Sequence, residues 1–471
     1  MLKNLSKIFP FKDHLYVFQL MEYNSGSLLR WFMRNPWRRN IQKKHRLNWT
    51  VKARVILFVS LSFLLAEALL VAYLLKNVMY VIPIFIILSQ VFPVYLIVAK
   101  LLLMPLDTYK KNKIVSSAKK KIDRLENLKV VAITGSFGKT STKDILYALL
   151  WKKYRVVKTL TSFNTKLGVS QTILEDIKEN TDIFISEVGA YKRGEIAEIV
   201  RIIEPKIGII TALGPQHLER FGSLDNIVQA KFELIEGLDS RAMGILNKNY
   251  KELVSLANGA KCKMLFYGSS DSDFRASDIK VTLNGTSFLI STPKGTTDMH
   301  IPLIGEHHVY NFLAAAAAAL ELGLSLDEVK DRATKLLPTP HRLEVTKNGK
   351  YTLIDNSFNS NLESARSSFR LFASLDAPRK IIITPGLVEL GRIAEVVNKD
   401  FIAAASKVAD EIIIVGQSNK NYLEDGLKEA KFAPKAVHFA DSTQKALILA
   451  NEIAKKGSLV LIENDLPDQY R

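Results

Sequence analysis

The chain has 471 residues, enough for about three domains, and 48% of them are hydrophobic. Its single cysteine, Cys262, excludes an intramolecular disulfide. The formal charge of +18 raises nucleic-acid binding, but its location argues for a membrane surface instead. Residues 1–54 carry twelve Lys/Arg against two Asp/Glu, and residues 105–129 carry eight against three.

In chain order, residues 1–54 are basic, with Trp31, Trp37 and Trp49 among Arg and Lys. That composition suits a cytoplasmic or interfacial segment meeting anionic lipid. From Val55 to Met104 the chain is almost wholly apolar, interrupted by Glu67, Lys76, Asn77, Gln90 and Lys100. Val55–Leu75 and Val78–Met104 are each long enough to cross a bilayer as a helix. Lys76-Asn77 turns the chain between them, so residues 55–104 are expected to form a two-helix transmembrane hairpin. A buried helical pair in a soluble core is disfavoured because neither run has a polar face. The run starts too far from Met1 for a signal peptide and lacks a cleavage-like site. Basic flanks on both sides predict two spans of a cytoplasmic membrane, with both termini and the domains that follow on the cytoplasmic side. Residues 105–127 are basic and helix-prone and read as a linker.

From residue 128 short apolar runs alternate with amphipathic helices, the pattern of a mostly parallel sheet covered on both faces. Strands are expected at Lys129–Thr134, Arg155–Thr159, Asp182–Glu187, Lys206–Ala212, Met243–Asn247 and Met264–Tyr267. Helices are expected at Thr140–Trp151, Gly168–Glu175, Glu195–Ile203 and Leu224–Ile235. Asn284-Gly285 predicts a hairpin between Ile279–Leu283 and Ser287–Ser291. Helices Tyr310–Leu322 and Leu326–Leu336 then lead to Pro338-Thr339-Pro340, where a domain boundary falls. Residues 128–338 and 339–471 are thus read as two α/β domains, the second smaller and Rossmann-like. Its strands are expected at Leu343–Thr346, Tyr351–Ile354, Lys380–Thr384, Glu411–Val415, Ala436–Phe439 and Leu459–Ile462.

Between the first strand and helix of the larger domain lies Thr134-Gly135-Ser136-Phe137-Gly138-Lys139-Thr140-Ser141. Backbone N–H groups of such a P-loop turn cradle phosphate oxygens, aided by the helix N-terminus. Lys139 would reach the β/γ-phosphates, and the Thr140 hydroxyl would sit on Mg²⁺. Ile133 stands where the longer P-loop has its first glycine, so the motif is the short form G-x-x-G-K-T. Three further segments follow at strand ends or in helices, where open α/β sheets place their sites. Glu187 ends an apolar strand beside Gly189, suited to Mg²⁺ directly or through water, or simply solvated. His217 follows Gly214-Pro215. Lys231, in Gln229-Ala230-Lys231-Phe232-Glu233, reads on composition as a surface lysine.

The ordered set resembles the Mur ligase family, the ATP-dependent ligases of the peptidoglycan stem peptide, over about residues 128–395. Its motifs are most similar to the member that adds D-alanyl-D-alanine to UDP-muramoyl-tripeptide. The resemblance implies that Gly135, Ser136, Gly138, Lys139, Thr140 and Ser141 hold ATP. It implies that Thr140, Glu187 and His217 hold Mg²⁺, two ions in all. It also implies that the amine of Lys231 is carbamylated and supports the metal site. Thr161-Ser162-Phe163-Asn164-Thr165 resembles the substrate-contacting T-x-x-N-x-N loop, which assigns Thr161 and Asn164 to substrate, with Thr165 departing. Gly305-Glu306-His307-His308-Val309-Tyr310-Asn311 resembles the adenine-site motif G-x-H-N-x-x-N; Asn311 matches and His308 replaces the first Asn. Arg342 matches the arginine that reaches the ATP phosphates, with His341 replacing Gly. Asp355-Asn356-Ser357-Phe358-Asn359-Ser360-Asn361 resembles I-D-D-x-Y-N-A-N. That places Asp355 at the nucleotide and Asn359 and Asn361 at the substrate, while Asn356 replaces an acid. Gly386–Gly391 resembles the G-x-M-x-E-L-G stretch. The family's uridine-nucleotide domain is not found, and Glu463-Asn464-Asp465 stands near the position of its K-G-S-R motif.

The implied reaction is ATP-dependent amide ligation through an acyl phosphate, with Lys139, His217, Lys231 and Arg342 as catalytic residues. The protein supplies positioning and charge neutralisation. Arg342 lies past the domain boundary, so the smaller domain must close on the larger one. The acceptor is a UDP-linked or a lipid-linked muramoyl peptide, the donor is D-Ala-D-Ala, and membrane lipids are further partners. Two other readings are a membrane P-loop ATPase that hydrolyses ATP without an acceptor, and a ligase-like scaffold that binds nucleotide without turnover.

Overall fold

The computed structural model describes residues 9–21, 23–35, 47–160, 163–214, 221–358, 360–388 and 390–466. Their contacts separate into two compact units, one N-terminal through Asn112 and the other from Lys113 to Asp465.

The N-terminal unit is helical: α1 (Phe11–Leu20), α2 (Ser25–Arg34), α3 (Val51–Leu74), α4 (Val81–Ser89) and the start of α5 (Phe92–Arg124). The Thr50 hydroxyl caps α3 and the Asn24 side chain caps α2. Leu15, Val17 and Phe18 of α1, Leu28 of α2, Ala53, Ile56 and Leu64 of α3, and Phe92, Leu96 and Ala99 of α5 form one buried cluster. Elsewhere α3 and α5 are apolar and exposed, with Phe58, Phe63, Leu70, Tyr73, Leu101 and Leu102 on the surface. Both are long and apolar enough to cross a membrane, by length and composition. The second apolar run is not one helix from Val78. A 3₁₀ turn at Val78–Tyr80 leads into α4, which ends at Ser89, and α5 restarts at Phe92. Residues 105–124, expected as a linker, continue α5 with Pro105 inside it.

The second unit carries two parallel-rich sheets, a mixed α/β architecture. The first has nine strands: β1 (Lys129–Thr134), β2 (Val156–Lys158), β3 (Ile183–Glu187), β4 (Ile207–Ile210), β5 (Met243–Asn247), β6 (Lys263–Gly268), β7 (Phe274–Thr282), β8 (Gly285–Thr292) and β9 (Gly295–Ile301). Their order is β2-β3-β1-β4-β5-β6-β7-β8-β9, parallel as far as β7 and antiparallel over the last three. Ile133 is level with Glu187, and Thr134 with Ile210. The carboxyl ends of β1, β3 and β4 therefore open at one edge, which sets the site. The helices are α6 (Lys139–Leu150), α7 (Lys166–Glu175), α8 (Glu195–Ile203), α9 (Leu224–Glu236), α10 (Lys251–Ala257), α11 (Glu306–Glu321) and α12 (Leu326–Ala333). In α11 the run Ala314–Ala319 is wholly buried. Its small side chains let α11 pack into the same core as Leu146, Leu149 and Leu150 of α6.

The second sheet comprises β10 (Glu344–Asn348), β11 (Tyr351–Asn356), β12 (Lys380–Thr384), β13 (Glu411–Val415), β14 (Val437–Ala440) and β15 (Ser458–Glu463), ordered β10-β11-β15-β12-β13-β14. Only β10 is antiparallel. Its helices are α13 (Leu362–Ser374), α14 (Ala394–Ser406), α15 (Lys420–Glu429) and α16 (Thr443–Ile453).

Candidate active site

Between β1 and α6 the chain turns through Gly135 (φ +148°) and Gly138 (φ +80°). A Cβ on Gly135 would lie 2.0 Å from Thr211 Oγ1, and one on Gly138 would lie 2.3 Å from Asn311 Oδ1. Both positions need glycine for space, and Gly138 needs it also for its left-handed backbone. The loop is stitched to the segment after β4. Ser136 N–H donates to Ala212 O at 2.7 Å and Ser136 Oγ to Gly214 O at 2.9 Å. The Thr211 hydroxyl donates to the carbonyls of Thr134 and Phe137. His217, Thr161 and Asn359 lie outside the described residues.

α6 begins directly after Gly138, so the free N–H groups of its first turn face the loop. Half-buried Lys139 donates from Nζ to Gly135 O at 2.7 Å and Ser136 O at 3.2 Å. Burial pushes this amine down to about 8; the charge of Arg342 acts the same way, and Glu187 opposes them. Ser141 is buried in the first turn of α6.

Thr140 and Glu187 meet, with Thr140 Oγ1 donating to Glu187 Oε2 at 3.0 Å. Lys143 Nζ lies 3.2 Å from the same oxygen, and Asn164 Nδ2 donates to Oε1 at 3.2 Å. Burial would raise the Glu187 carboxyl, but Lys139, Lys143, Asn164 and Thr140 outweigh it and hold it below its ordinary value. Asn164 thus touches the expected metal carboxylate. Lys143 was not expected in the site, although the sequence carries a signal for it. It occupies the periodic slot of α6 shared with Leu146 and Leu150, where a buried apolar residue belongs.

Lys231 is 4% exposed, on α9, with its amine over the Phe221 ring at 5.7 Å. Composition read it as a surface lysine; the fold buries it. Burial, reinforced by Lys139 and opposed by Glu233 and Glu195, pushes its amine down to about 7. Glu233 is occupied otherwise, accepting from the backbone N–H groups of Gly194 and Ala197.

Arg342 reaches this neighbourhood from the segment before β10. Its guanidinium stacks over Phe358 at 4.4 Å and exchanges electrostatic influence with Lys139, Glu187 and Asp144. Its neighbours His341 (φ +62°) and Leu343 (φ +51°) both have left-handed backbones. Asp144 joins the parts, with its carboxylate accepting from Lys158 Nζ at 2.7 Å and Thr339 Oγ1 at 3.1 Å. His308, 2% exposed, faces the Arg342 backbone, and its Nδ1 has no partner among the described residues. Asn311 packs on Gly138 and accepts weakly from Thr142 Oγ1 at 3.4 Å. Asp355 is engaged by His341 Nδ1 at 2.8 Å and by the Ser357 N–H at 3.0 Å. Asn361 caps α13, its Oδ1 accepting from Glu363 and Ser364 N–H.

These features fit a magnesium-nucleotide. The glycine turn brings the start of α6 close against Thr211 and Asn311 with its free N–H groups facing the loop, and a hydroxyl and a carboxylate converge on one point. Arg342 Nε is also buried without a partner among the described residues, a donor available to an anionic ligand.

Comparison with known proteins agrees with this geometry. Residues 133–319 match the Mur ligase middle domain, and residues 341–463 match the Mur ligase, glutamate ligase domain. The UDP-N-acetylmuramoyl-tripeptide–D-alanyl-D-alanine ligase of Escherichia coli K12 is 32% identical over 343 residues, 71% of this chain and 73% of that protein. Its Bacillus subtilis 168 counterpart is 31% identical over 339 residues, covering 71% and 72%. Among solved structures, MurF from Acinetobacter baumannii superposes with a TM-score of 0.68 at 25% identity, covering 75% of this chain and 77% of that one. MurF from Thermotoga maritima, in complex with ADP, gives 0.68 at 23% identity, covering 75% and 80%. The two matched domains cover most of both sheets together with Lys139, Thr140, Glu187, Lys231 and Arg342, and the chain belongs to the Mur ligase family.

Proposed function

We propose that the chain is an ATP-dependent amide ligase that joins D-alanyl-D-alanine to a muramoyl tripeptide, held at a membrane by its N-terminal helices. The observation that carries this is the meeting of Thr140 with Glu187 beside Lys139, within the electrostatic reach of Arg342 from the second sheet. The P-loop amides and Lys139 would hold the nucleotide phosphates, and Asn311 and Asp355 are the further residues that would bind the nucleotide. Thr140, Glu187 and His217 hold Mg²⁺, which when bound neutralises phosphoryl charge. Arg342 adds positive charge where the transferring phosphoryl sits. The substrate carboxylate attacks that γ-phosphoryl and breaks its bond to the β-phosphate oxygen, so that ADP leaves and an acyl phosphate forms. The amine of the incoming dipeptide then adds to the acyl carbonyl, loses a proton and expels inorganic phosphate, which leaves the amide. Thr161 and Asn164, with Asn359 and Asn361, belong to the segments assigned to the peptide.

Lys231 is the residue proposed to carry a carbamate. Only a neutral amine adds CO₂, and an amine pushed down to about 7 is largely neutral above that pH. The carbamate would set an anion beside the metal site in place of a neutral buried amine.

Helices α3 and α5 are proposed to form a hairpin through the bilayer, with the basic residues at their outer ends on the cytoplasmic side. The same helices favour a second reading of the acceptor, a lipid-linked muramoyl peptide presented at the membrane. The deciding experiment measures phosphate release by the detergent-solubilised chain with ATP and Mg²⁺. Release that requires both UDP-muramoyl-tripeptide and D-Ala-D-Ala, with a pentapeptide product by mass spectrometry, supports the first reading. Release only with the lipid-linked acceptor supports the second. Release with neither acceptor present points to a plain ATPase.

A further inference from the structure

We propose that Lys143 is an internal cation that holds Glu187 in the place of a metal ion. In this role it keeps free Mg²⁺ out of the site until a nucleotide brings it in. The inference rests on the assignment of Glu187 as the metal carboxylate.

The Lys143 and Glu187 side chains are 1% and 4% exposed, and their charged atoms lie 3.2 Å apart. A lone buried ammonium or carboxylate is costly, so each charge is tolerable there because of the other. The arrangement is specific about which oxygen is used. Glu187 Oε2 accepts from both Lys143 and Thr140, while Oε1 accepts from Asn164. Both oxygens are therefore engaged by the protein. The oxygen beside Thr140, the one a shared metal would take, is the one Lys143 holds.

Lys143 acts in two opposed ways. Before the metal arrives, Lys143 holds Glu187 Oε2 where Thr140 also reaches it. As a divalent ion approaches, the same charge repels it, and at least one donor on Oε2 must give way. Nucleotide phosphates reverse the balance, because they add several negative charges at the mouth of the P-loop. Metal and nucleotide are then taken up together, and free Mg²⁺ is excluded by a lysine rather than by the shape of the site.

The test is Mn²⁺ binding to the full-length, detergent-solubilised chain by electron paramagnetic resonance, with and without ADP. The wild type is expected to bind Mn²⁺ weakly alone and tightly with ADP. Lys143→Met is expected to bind Mn²⁺ alone about tenfold more tightly, while its melting temperature without metal falls. Lys143→Gln serves as a second neutral variant. Unchanged or weaker binding of Mn²⁺ alone in the folded variants overturns the proposal. If neither variant folds alone, Mn²⁺-ADP must restore folding, and failure to do so also overturns it. Glu187→Gln in the Lys143→Met background is the control. Tight Mn²⁺ binding that survives it means that Glu187 is not the metal carboxylate, a failure of the site assignment rather than of the competition.

Discussion

Asn356 and Glu463 are register partners on the adjacent parallel strands β11 and β15, and Asn356 Nδ2 donates to Glu463 Oε2 at 2.9 Å. Glu463 is fully buried and also accepts from the Ser360 hydroxyl. These are two positions where the sequence departs from the motifs it resembles, an amide in place of an acid and a carboxylate near the place of K-G-S-R. In the fold the departures meet. An acid at 356 would set two carboxyl groups against each other, whereas the amide donates. Asn356→Asp is expected to destabilise the chain by about 2 kcal/mol or more, and adding Glu463→Lys is expected to recover most of the loss. Urea-dependent pulse proteolysis of the single and double variants measures this coupling. Additive losses would show that the two positions are independent.

The same carboxyl makes stability depend on pH. Burial raises Glu463 to about 7, against 4.5 for the free group, and hydrogen bonds from Asn356, Ser360 and Ser368 only partly oppose it. Between those values the unfolded chain has released the proton and the folded chain has kept it. The contribution of this group therefore falls as pH rises from 4.5 to 7, and is level above that. Glu463→Gln cannot ionise. Its stability relative to wild type is expected to improve by on the order of 2 kcal/mol between pH 5 and pH 8. Pulse proteolysis at the two pH values tests this, and a constant difference would contradict it.

Much of the fold is legible in the sequence because its strands are buried on both faces. β1, β5, β12 and β13 coincide with their apolar runs, and α8 with its amphipathic pattern. β9 is missed because Gly295–Ile301 holds polar residues and lies at a sheet edge. The break before Phe92 is hidden by apolar residues on both sides. In the site, Thr140 and Glu187 are readable from the loop motif and the strand end. The burial of Lys231 is not evident from composition, because tertiary packing closes over it, and that of Lys143 shows in the sequence only through its place in the apolar stripe of α6. Asn361 illustrates the converse, since a residue in a substrate-like motif also serves as a helix cap.

Gly138→Ala isolates the P-loop. The new methyl would meet Asn311 Oδ1 at 2.3 Å on a backbone at φ +80°, which side chains rarely adopt. ADP affinity, measured by calorimetry, is expected to fall at least about tenfold, since a strain of one to two kcal/mol falls on the turn that holds phosphate. Adding Asn311→Ser removes the clash but not the strained backbone, so only part of the affinity should return. Full recovery would mean that space alone requires the glycine.

His308 separates nucleotide binding from turnover. It stands where the resembling motif has an adenine-site Asn, yet it faces the backbone of Arg342 at the junction between the sheets. Burial, with His307 and Arg342 nearby, keeps its imidazole neutral well below its ordinary pKa. His308→Ala should leave ADP affinity within about twofold and lower kcat about tenfold, as expected when a positioned charge loses its support. Steady-state kinetics with calorimetry decides the point. A rise in KM for ATP at unchanged kcat would instead make His308 a reader of the base.

Lys231 offers a test in which pH, CO₂ and chemistry must agree. Its amine, pushed down to about 7, is mostly protonated at pH 6 and mostly neutral at pH 8. Carbamate formation needs the neutral amine, so occupancy should rise across that interval. ¹³C-bicarbonate is expected to give a carbamate resonance in the wild type that grows from pH 6 to pH 8 and is absent from Lys231→Ala. Phosphate release should fall when CO₂ is stripped from the wild type, and should fall by about a hundredfold or more in Lys231→Ala. Formate or acetate should return part of the variant's activity, because a small carboxylate can occupy the space of the deleted side chain. A wild type with no resonance and no CO₂ dependence would leave Lys231 as a neutral buried amine, and the metal site would then have to do without a carbamate.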